Sequence, residues 1–488
     1  MLFYLLFDDM AFNMKKIVKK EEIRELTSAE KTFLIDMLQE KNNLLEEQVK
    51  RLNARLKQLE DQKSKNSRNS SKPPSSDQNK PKKTTSSKPK SNKKPGGQPG
   101  HKGHYLKKRD NPDETVRLEV SSCDNCGQDL SKVKSTIETR QEFEIPPPQI
   151  LVTEYQAESK DCKCCGYTTT ACFPEHITHI TQYGIRARSL MAYINQYQYI
   201  PYDRASQFFG TVYGHRVSPG TIVNAVDTLA NRLTGLDEQI KEFLANSKLN
   251  HADETSMKVL GKKKWLHTVG NEKAGHFAFH ENRGKKATLD IGILPEFKGT
   301  LVHDCWKSYF LYECEHALCN AHHIRELRFI YENHNMKWAN KMLGLLIDIN
   351  KHKHKEMDNG KTKLSKKTLD EYNQKYDNIL AKARKEHAKH ATKDSSNLFK
   401  RLTNYKEEAL LFMYDFSVPF TNNLSERDFR MAKVKQKISG CFRSLVGAKN
   451  FCLIRNLLVT AKKNNRNVFD MFQQSLREII SLDELLET

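Results

Sequence analysis

The chain has 488 residues and a formal net charge of +21, with 29% charged and 37% hydrophobic side chains. One hydrophobic core stops growing at roughly 250–300 residues, so several domains are expected. No apolar run reaches the roughly 18–20 residues that span a bilayer, so a membrane helix is excluded and a cytoplasmic, nucleoid-associated location is expected. Thiols stay reduced there, so the 11 cysteines read as metal ligands or core residues.

Residues 1–26 open with MLFYLLF and run into Asp8 and Asp9 without a basic n-region. They read as a frayed leader, with Met10 and Met14 as alternative starts. Residues 27–60 carry a seven-residue apolar repeat: Leu38, Leu45, Leu52 and Leu59 at d, and Ile35, Asn42, Val49 and Leu56 at a. This pattern favours a two-stranded parallel leucine zipper, with the single Asn fixing register, so a homo-oligomer is expected. Residues 61–108 hold 14 Lys or Arg against 2 Asp, a net charge of +12, and no large apolar residue before Tyr105. Such a tract buries too little to order itself and seeks a polyanion, so it reads as a disordered basic linker that meets nucleic acid.

Residues 109–180 contain Cys123-Asp-Asn-Cys126-Gly and Cys162-Lys-Cys-Cys165-Gly, separated by strand-like runs such as QEFEI and QILVTEYQAE. Four thiolates at this spacing suit a tetrahedral structural Zn²⁺, and Cys164 and Cys172 are alternative ligands. Residues 181–245 turn helical. In PYDRASQFFGTVYGHRVSPGTIVNAVDTLANRL, Ser218 is placed to cap a second helix with Pro219 at its first position, the layout of a helix-turn-helix that would bind DNA.

Residues 246–445 begin with LNHADETSMKVL, KKWLHTVG and HFAFHENR, three strands split by Gly or Asn turns, and a fourth follows in GTLVHDCW. Strand alternation puts Asp253 and Glu254 on opposite faces and His251 on the face of Asp253. Asp304 ends its strand. If the two strands adjoin, Asp253 and Asp304 repel unless a divalent cation, Mg²⁺ or Mn²⁺, lies between them. Lys-rich helices over about 335–415 separate these strands from TNNLSERDFRMAKVKQKISGCFRS. There Glu426 shares a helical face with Arg430, Lys433 and Lys437, spacing that also suits an ordinary Glu426–Arg430 surface ion pair. Residues 446–488 read as a C-terminal helical region. Cys319, His322 and His323 are expected to pack near the site helix, and Trp265 and Trp306 to form core or groove walls.

HADET, VHDCWKSY, LCNAHHIRELR and NNLSERDFRMAKVKQK, in this order, resemble the insertion sequence 66 family of transposases, as do the zipper, the KKPGGQPGHKGH linker and the paired CxxC module. The resemblance implies a ribonuclease-H-like DDE catalytic core with a helical insertion, and a bacterial insertion-sequence transposase that binds terminal inverted repeats and target DNA. By it, Asp253, Asp304 and Glu426 take the places of the catalytic Asp, Asp and Glu, which bind two Mg²⁺ or Mn²⁺ ions for DNA cleavage and strand transfer. Arg427, Arg430, Lys433, Lys437 and Arg443 would neutralise DNA phosphates, and accessory proteins of the same element are potential partners. Thr421 stands where the family usually has Asp, and Cys305-Trp306 where it has a Gly-Tyr-like pair. The competing class is a DNA-binding regulator that has lost catalysis, against which the presence of all three acids argues. No nucleophile motif of a tyrosine or serine recombinase is present.

Overall fold

The computed structural model describes residues 27–66, 68–70, 100–103 and 105–486. The leader and most of the basic linker therefore lie outside the described residues.

Helix α1 (Ser28–Ser64) starts where Thr27 and Glu30 form a reciprocal capping box. It has no buried residue, and Leu38, Leu45, Leu52 and Leu59 are 49–66% exposed. The cysteine segment that follows is also open to solvent. Its regular structure is a short antiparallel ribbon, Ser159–Asp161 with Thr168–Thr170. The strand-like runs 141–145 and 149–158 take no sheet partner, apart from their continuation into Ser159. With Leu118, Val120, Ile145, Leu151 and Val152 all exposed, apolar burial cannot be what holds this segment.

Four helices come next: α2 (Ile185–Ala192), α3 (Tyr202–Val212), α4 (Pro219–Arg232) and α5 (Thr234–Ala245). Ser218 caps α4 by accepting from the Thr221 N–H, with Pro219 at the first turn. Ile222, Ala225, Val226, Leu229 and Ala230 of α4 are buried, so most of this helix serves the core.

A mixed sheet follows: β1 (Leu249–Val259), β2 (Lys262–Gly270), β3 (Gly275–His280), β4 (Thr300–His303) and β5 (Glu315–Leu318), with α6 (Lys285–Ile291) between β3 and β4. The strand order is β3-β2-β1-β4-β5. The first three strands form an antiparallel meander, and β4 and β5 run parallel to β1. Leu260 and Gly261, both at positive φ, make the two-residue β1–β2 turn, a backbone whose twist matches the strands it joins.

Helices α7 (Asn320–His334), α8 (Lys337–Asp358), α9 (Lys366–His390), α10 (Lys393–Asn404) and α11 (Lys406–Tyr414) fill the interval before α12 (Asn423–Ser439). Last come α13 (Leu445–Lys463), α14 (Val468–Arg477) and α15 (Leu482–Leu486).

The chain forms two compact units, one of residues 1–80 with 319–420 and one of 81–318 with 421–488. In the first, the end of α1 packs on the inserted helices. Lys65 ion-pairs with Asp394 at 2.9 Å and lies over the Phe329 ring, and Asn69 is 3% exposed. The first residues of the expected linker are thus tied down. In the second unit the C-terminal helices share the sheet's core. Ile454, Leu457, Leu458 and Ala461 of α13 join Val226, Leu236, Ala252, Val269 and Leu301, while Phe451, Cys452 and Val459 join Met257, Leu266, Phe277 and Phe429. From Asn450 to Ala461 nearly every residue of α13 is buried, Arg455 and Asn456 included, so the helix is enclosed on all sides over that span.

Gly299 precedes β4 where a Cβ would meet the Lys248 carbonyl oxygen at 2.4 Å. Gly299→Ala is expected to lower stability by about 1–3 kcal/mol, read as a shift of the denaturant midpoint.

Candidate functional site

Sheet register places the two aspartates. His251 pairs with Val302 across the parallel β1–β4 ladder. Asp253 lies two residues further along β1, and Asp304, expected to end its strand, is instead the first residue beyond β4, where continuing the register brings it beside Asp253. The Asp253 Oδ1 accepts the Glu254 N–H at 2.8 Å. The Asp304 Oδ1 is buried and has no hydrogen-bond partner among the described residues. An orphaned carboxylate oxygen is expensive. A divalent cation held by oxygen ligands would satisfy it, so the donor set fits the expected Mg²⁺ or Mn²⁺.

Helix α12 lies over the face of β1 that carries Asp253, and Asn422 sets its start. The Asn422 amide donates to the Ala252 carbonyl at 2.9 Å, which leaves its Oδ1 to accept from the His251 Nδ1–H at 2.8 Å. Phe429 and Ala432 then pack on Met257 and Leu266. Glu426, one turn into α12, is half-buried. Among the described residues no group of three or more His, Cys, Asp or Glu is drawn together closely enough to hold a metal ion. Asp253, Asp304 and Glu426 therefore do not close into such a group in this structure.

The basic residues of α12 divide. Arg427, Arg430 and Lys437 are exposed, as is Arg443 beyond the helix. Lys433 instead turns inward, donating to the Ser256 carbonyl at 2.6 Å. Burial lowers its pKa, with the negative Asp253 pulling the other way. Next to it on the helix, burial pushes the Lys435 ammonium down to about 8. The expectation that Lys433 faces phosphate meets an amine already engaged with the protein.

Sequence reasoning missed the groups around Asp304. Glu254, opposite in face to Asp253, is buried, and burial, reinforced by the nearby charge of Asp304, raises its pKa against the pull of Tyr309 and Arg283. Tyr309 is fully enclosed, and burial together with Glu254, Asp253 and Asp304 raises its hydroxyl well above the usual value. Glu254 was visible in the sequence beside Asp253, but nothing there linked it to Tyr309 and Arg283.

Two chemically similar knuckles form in the cysteine segment. The Gly127 N–H donates to the Cys123 carbonyl at 2.9 Å and the Gly166 N–H to the Cys162 carbonyl at 2.8 Å, with both glycines at positive φ. Backbone N–H groups of Asn125 and Cys126 lower the Cys123 pKa, and those of Cys165 and Cys164 lower that of Cys162. This favours thiolates, the form that binds zinc. Cys126 and Cys165 complete the two pairs, and Cys164 and Cys172 are exposed nearby. In the inserted helices, His323 is fully buried on Asn320, with burial holding it neutral.

Carboxylates on one face of a mixed sheet, under a helix whose outer side is basic, define a protein suited to the chemistry of nucleic acid. The chain belongs to the Transposase IS66 family, whose profile matches residues 181–450. A second profile, the zinc-finger binding domain of transposase IS66, matches residues 121–166, and a family of unknown function matches residues 19–107. A comparison with curated proteins returns no match.

Burial holds the His267 imidazole down to about 4, and that of His323 well below the ordinary value. In the unfolded chain both take a proton near pH 6.5. Their neutral burial therefore costs nothing above that pH and destabilises the fold as pH drops from about 6.5 towards 4, by up to about 1.4 kcal/mol per unit for each ring. Denaturant midpoints measured between pH 7 and 5 are expected to fall, and His267→Gln to flatten the trend.

Proposed function

We propose that this chain is an insertion-sequence transposase that binds the ends of its element and catalyses DNA strand cleavage and strand transfer. The orphaned Asp304 oxygen, on the residue that continued register brings beside Asp253, is the observation that carries this reading. The strand order, with an antiparallel β1–β3 meander extended by two parallel strands, supports a ribonuclease-H-like core.

In this reading Asp253, Asp304 and Glu426 hold the divalent cations, which when bound would activate the attacking oxygen and stabilise the leaving one. Asn422 fixes the helix that brings Glu426 to the sheet. Arg427, Arg430, Lys437 and Arg443 neutralise phosphates from the solvent side, a contribution that weakens steeply with salt. Lys433 acts from within, its ammonium offsetting part of the charge of Asp253. Cys123, Cys126, Cys162 and Cys165 hold a structural zinc in a segment with little apolar burial. The exposed seam of α1 pairs with a second copy of the chain, since its apolar heptad positions are left open to solvent by the described residues. Among the described residues no helix is long and apolar enough to cross a membrane.

The test is a cleavage and joining assay with Mg²⁺ on DNA carrying the element's ends. Asp253→Ala, Asp304→Ala and Glu426→Ala are each expected to lower strand cleavage by roughly a hundredfold or more while end binding persists. Wild-type cleavage by any one of them removes that residue from the site.

Zinc analysis of the purified chain provides a separate check. About one ion per chain is expected for a closed four-thiolate site, lost when Cys123 and Cys162 are both changed to Ser.

A further inference from the structure

Between β1 and the turn that follows β4 lies a buried polar cluster to which the proposed reaction assigns no role. The Glu254 side chain is 1% exposed. Its Oε1 accepts from both Nε and Nη2 of Arg283 at 2.7 Å, and its Oε2 accepts the Tyr309 hydroxyl at 2.5 Å. The Arg283 guanidinium lies 3.7 Å from the centre of the Trp306 ring and 4.9 Å from that of Trp265.

Trp306 and Tyr309 both belong to the segment leaving Asp304. Cys305, between Asp304 and Trp306, has φ +69°, a left-handed conformation that a non-glycine residue enters at a cost of order 1–3 kcal/mol. Within the turn, the Tyr309 N–H donates to the Trp306 carbonyl at 3.0 Å and the Cys305 N–H to His303 Nδ1 at 3.2 Å. The turn is also clipped from outside at two points: Tyr309 bonds Glu254 directly, and Trp306 stacks on the arginine that Glu254 binds. Glu254 follows Asp253 in β1, so the clip fastens the Asp304 turn to the strand that carries the other aspartate.

We propose that Glu254, with Arg283 and Tyr309, is the positioning group that holds Asp304 in the orientation that binds the divalent cation. The inference rests on the reading of Asp304 as a metal ligand. Glu254 is not assigned as a ligand: its carboxylate already meets the Arg283 cation and the Tyr309 hydroxyl, and its side chain is enclosed. Groups that orient a metal-binding carboxylate typically change metal affinity by 10–100-fold when removed.

The experiment is Mn²⁺ binding to the full chain, followed by electron paramagnetic resonance, with circular dichroism to verify folding. Tyr309→Phe removes one hydroxyl and leaves the ring in place. Glu254→Gln keeps the shape and removes the charge that Arg283 binds. Each is expected to weaken the Mn²⁺ binding that Asp304→Ala abolishes, by about tenfold or more, with the fold intact. Wild-type affinity in either folded variant, while Asp304→Ala loses binding, overturns the positioning role and leaves Asp304 as ligand. Wild-type affinity in Asp304→Ala overturns the ligand reading itself. If Glu254→Gln does not fold, Tyr309→Phe decides alone.

Discussion

The buried side chain of Asn422 ties the start of the covering helix to the sheet. Its amide and its oxygen both bond to β1, to the Ala252 carbonyl and the His251 imidazole, one and two residues before Asp253. The bonds are buried, where losing one partner strands the other without water. A helix that began a few degrees away would no longer bring Phe429 and Ala432 onto Met257 and Leu266. The seating of the helix is therefore set by amide geometry and apolar packing together.

The electrostatics of α12 follow from this seating. A helix lying on a sheet has an inner and an outer side, and its cations sort accordingly. Lys433 and Lys435 turn inward and lose hydration, with depressed pKa values as the result. Arg427, Arg430 and Lys437 remain in water, where an arginine fork can meet phosphate oxygens in pairs. The helix thus carries inward-turned amines and exposed guanidinium groups along a single element.

Much of this was legible in the chain. Alternation along β1 placed His251 with Asp253 and Glu254 on the other side, because the period of a strand leaves no choice. Ser218 and Pro219 marked the start of α4, since capping chemistry is local. Other features depended on distant partners. The apolar runs before Ser159 have strand composition but no neighbour to pair with. Residues 446–488 read as a separate helical region, yet α13 lies inside the sheet's core, because apolar periodicity says how much of a helix is buried and not against what. Helical spacing around Glu426 was ambiguous between a surface ion pair and the site. Only tertiary contacts, through Asn422, bring its helix over the aspartates. The links among Glu254, Arg283 and Tyr309 span three separate segments, and no local pattern announces them.

The enclosure of α13 within the core also has a meaning in time. Synthesis runs from β1 through β5, then through the inserted helices, and reaches Leu445 well over a hundred residues after Leu318. At ordinary rates of translation that interval is on the order of ten seconds. Throughout it the helices that cover the sheet have not yet been made, so Met257, Leu266 and Phe277 lack Phe429, Phe451 and Val459 to pack on. A nascent chain still attached to its ribosome therefore carries the apolar face of its sheet long before it carries the helices that enclose it.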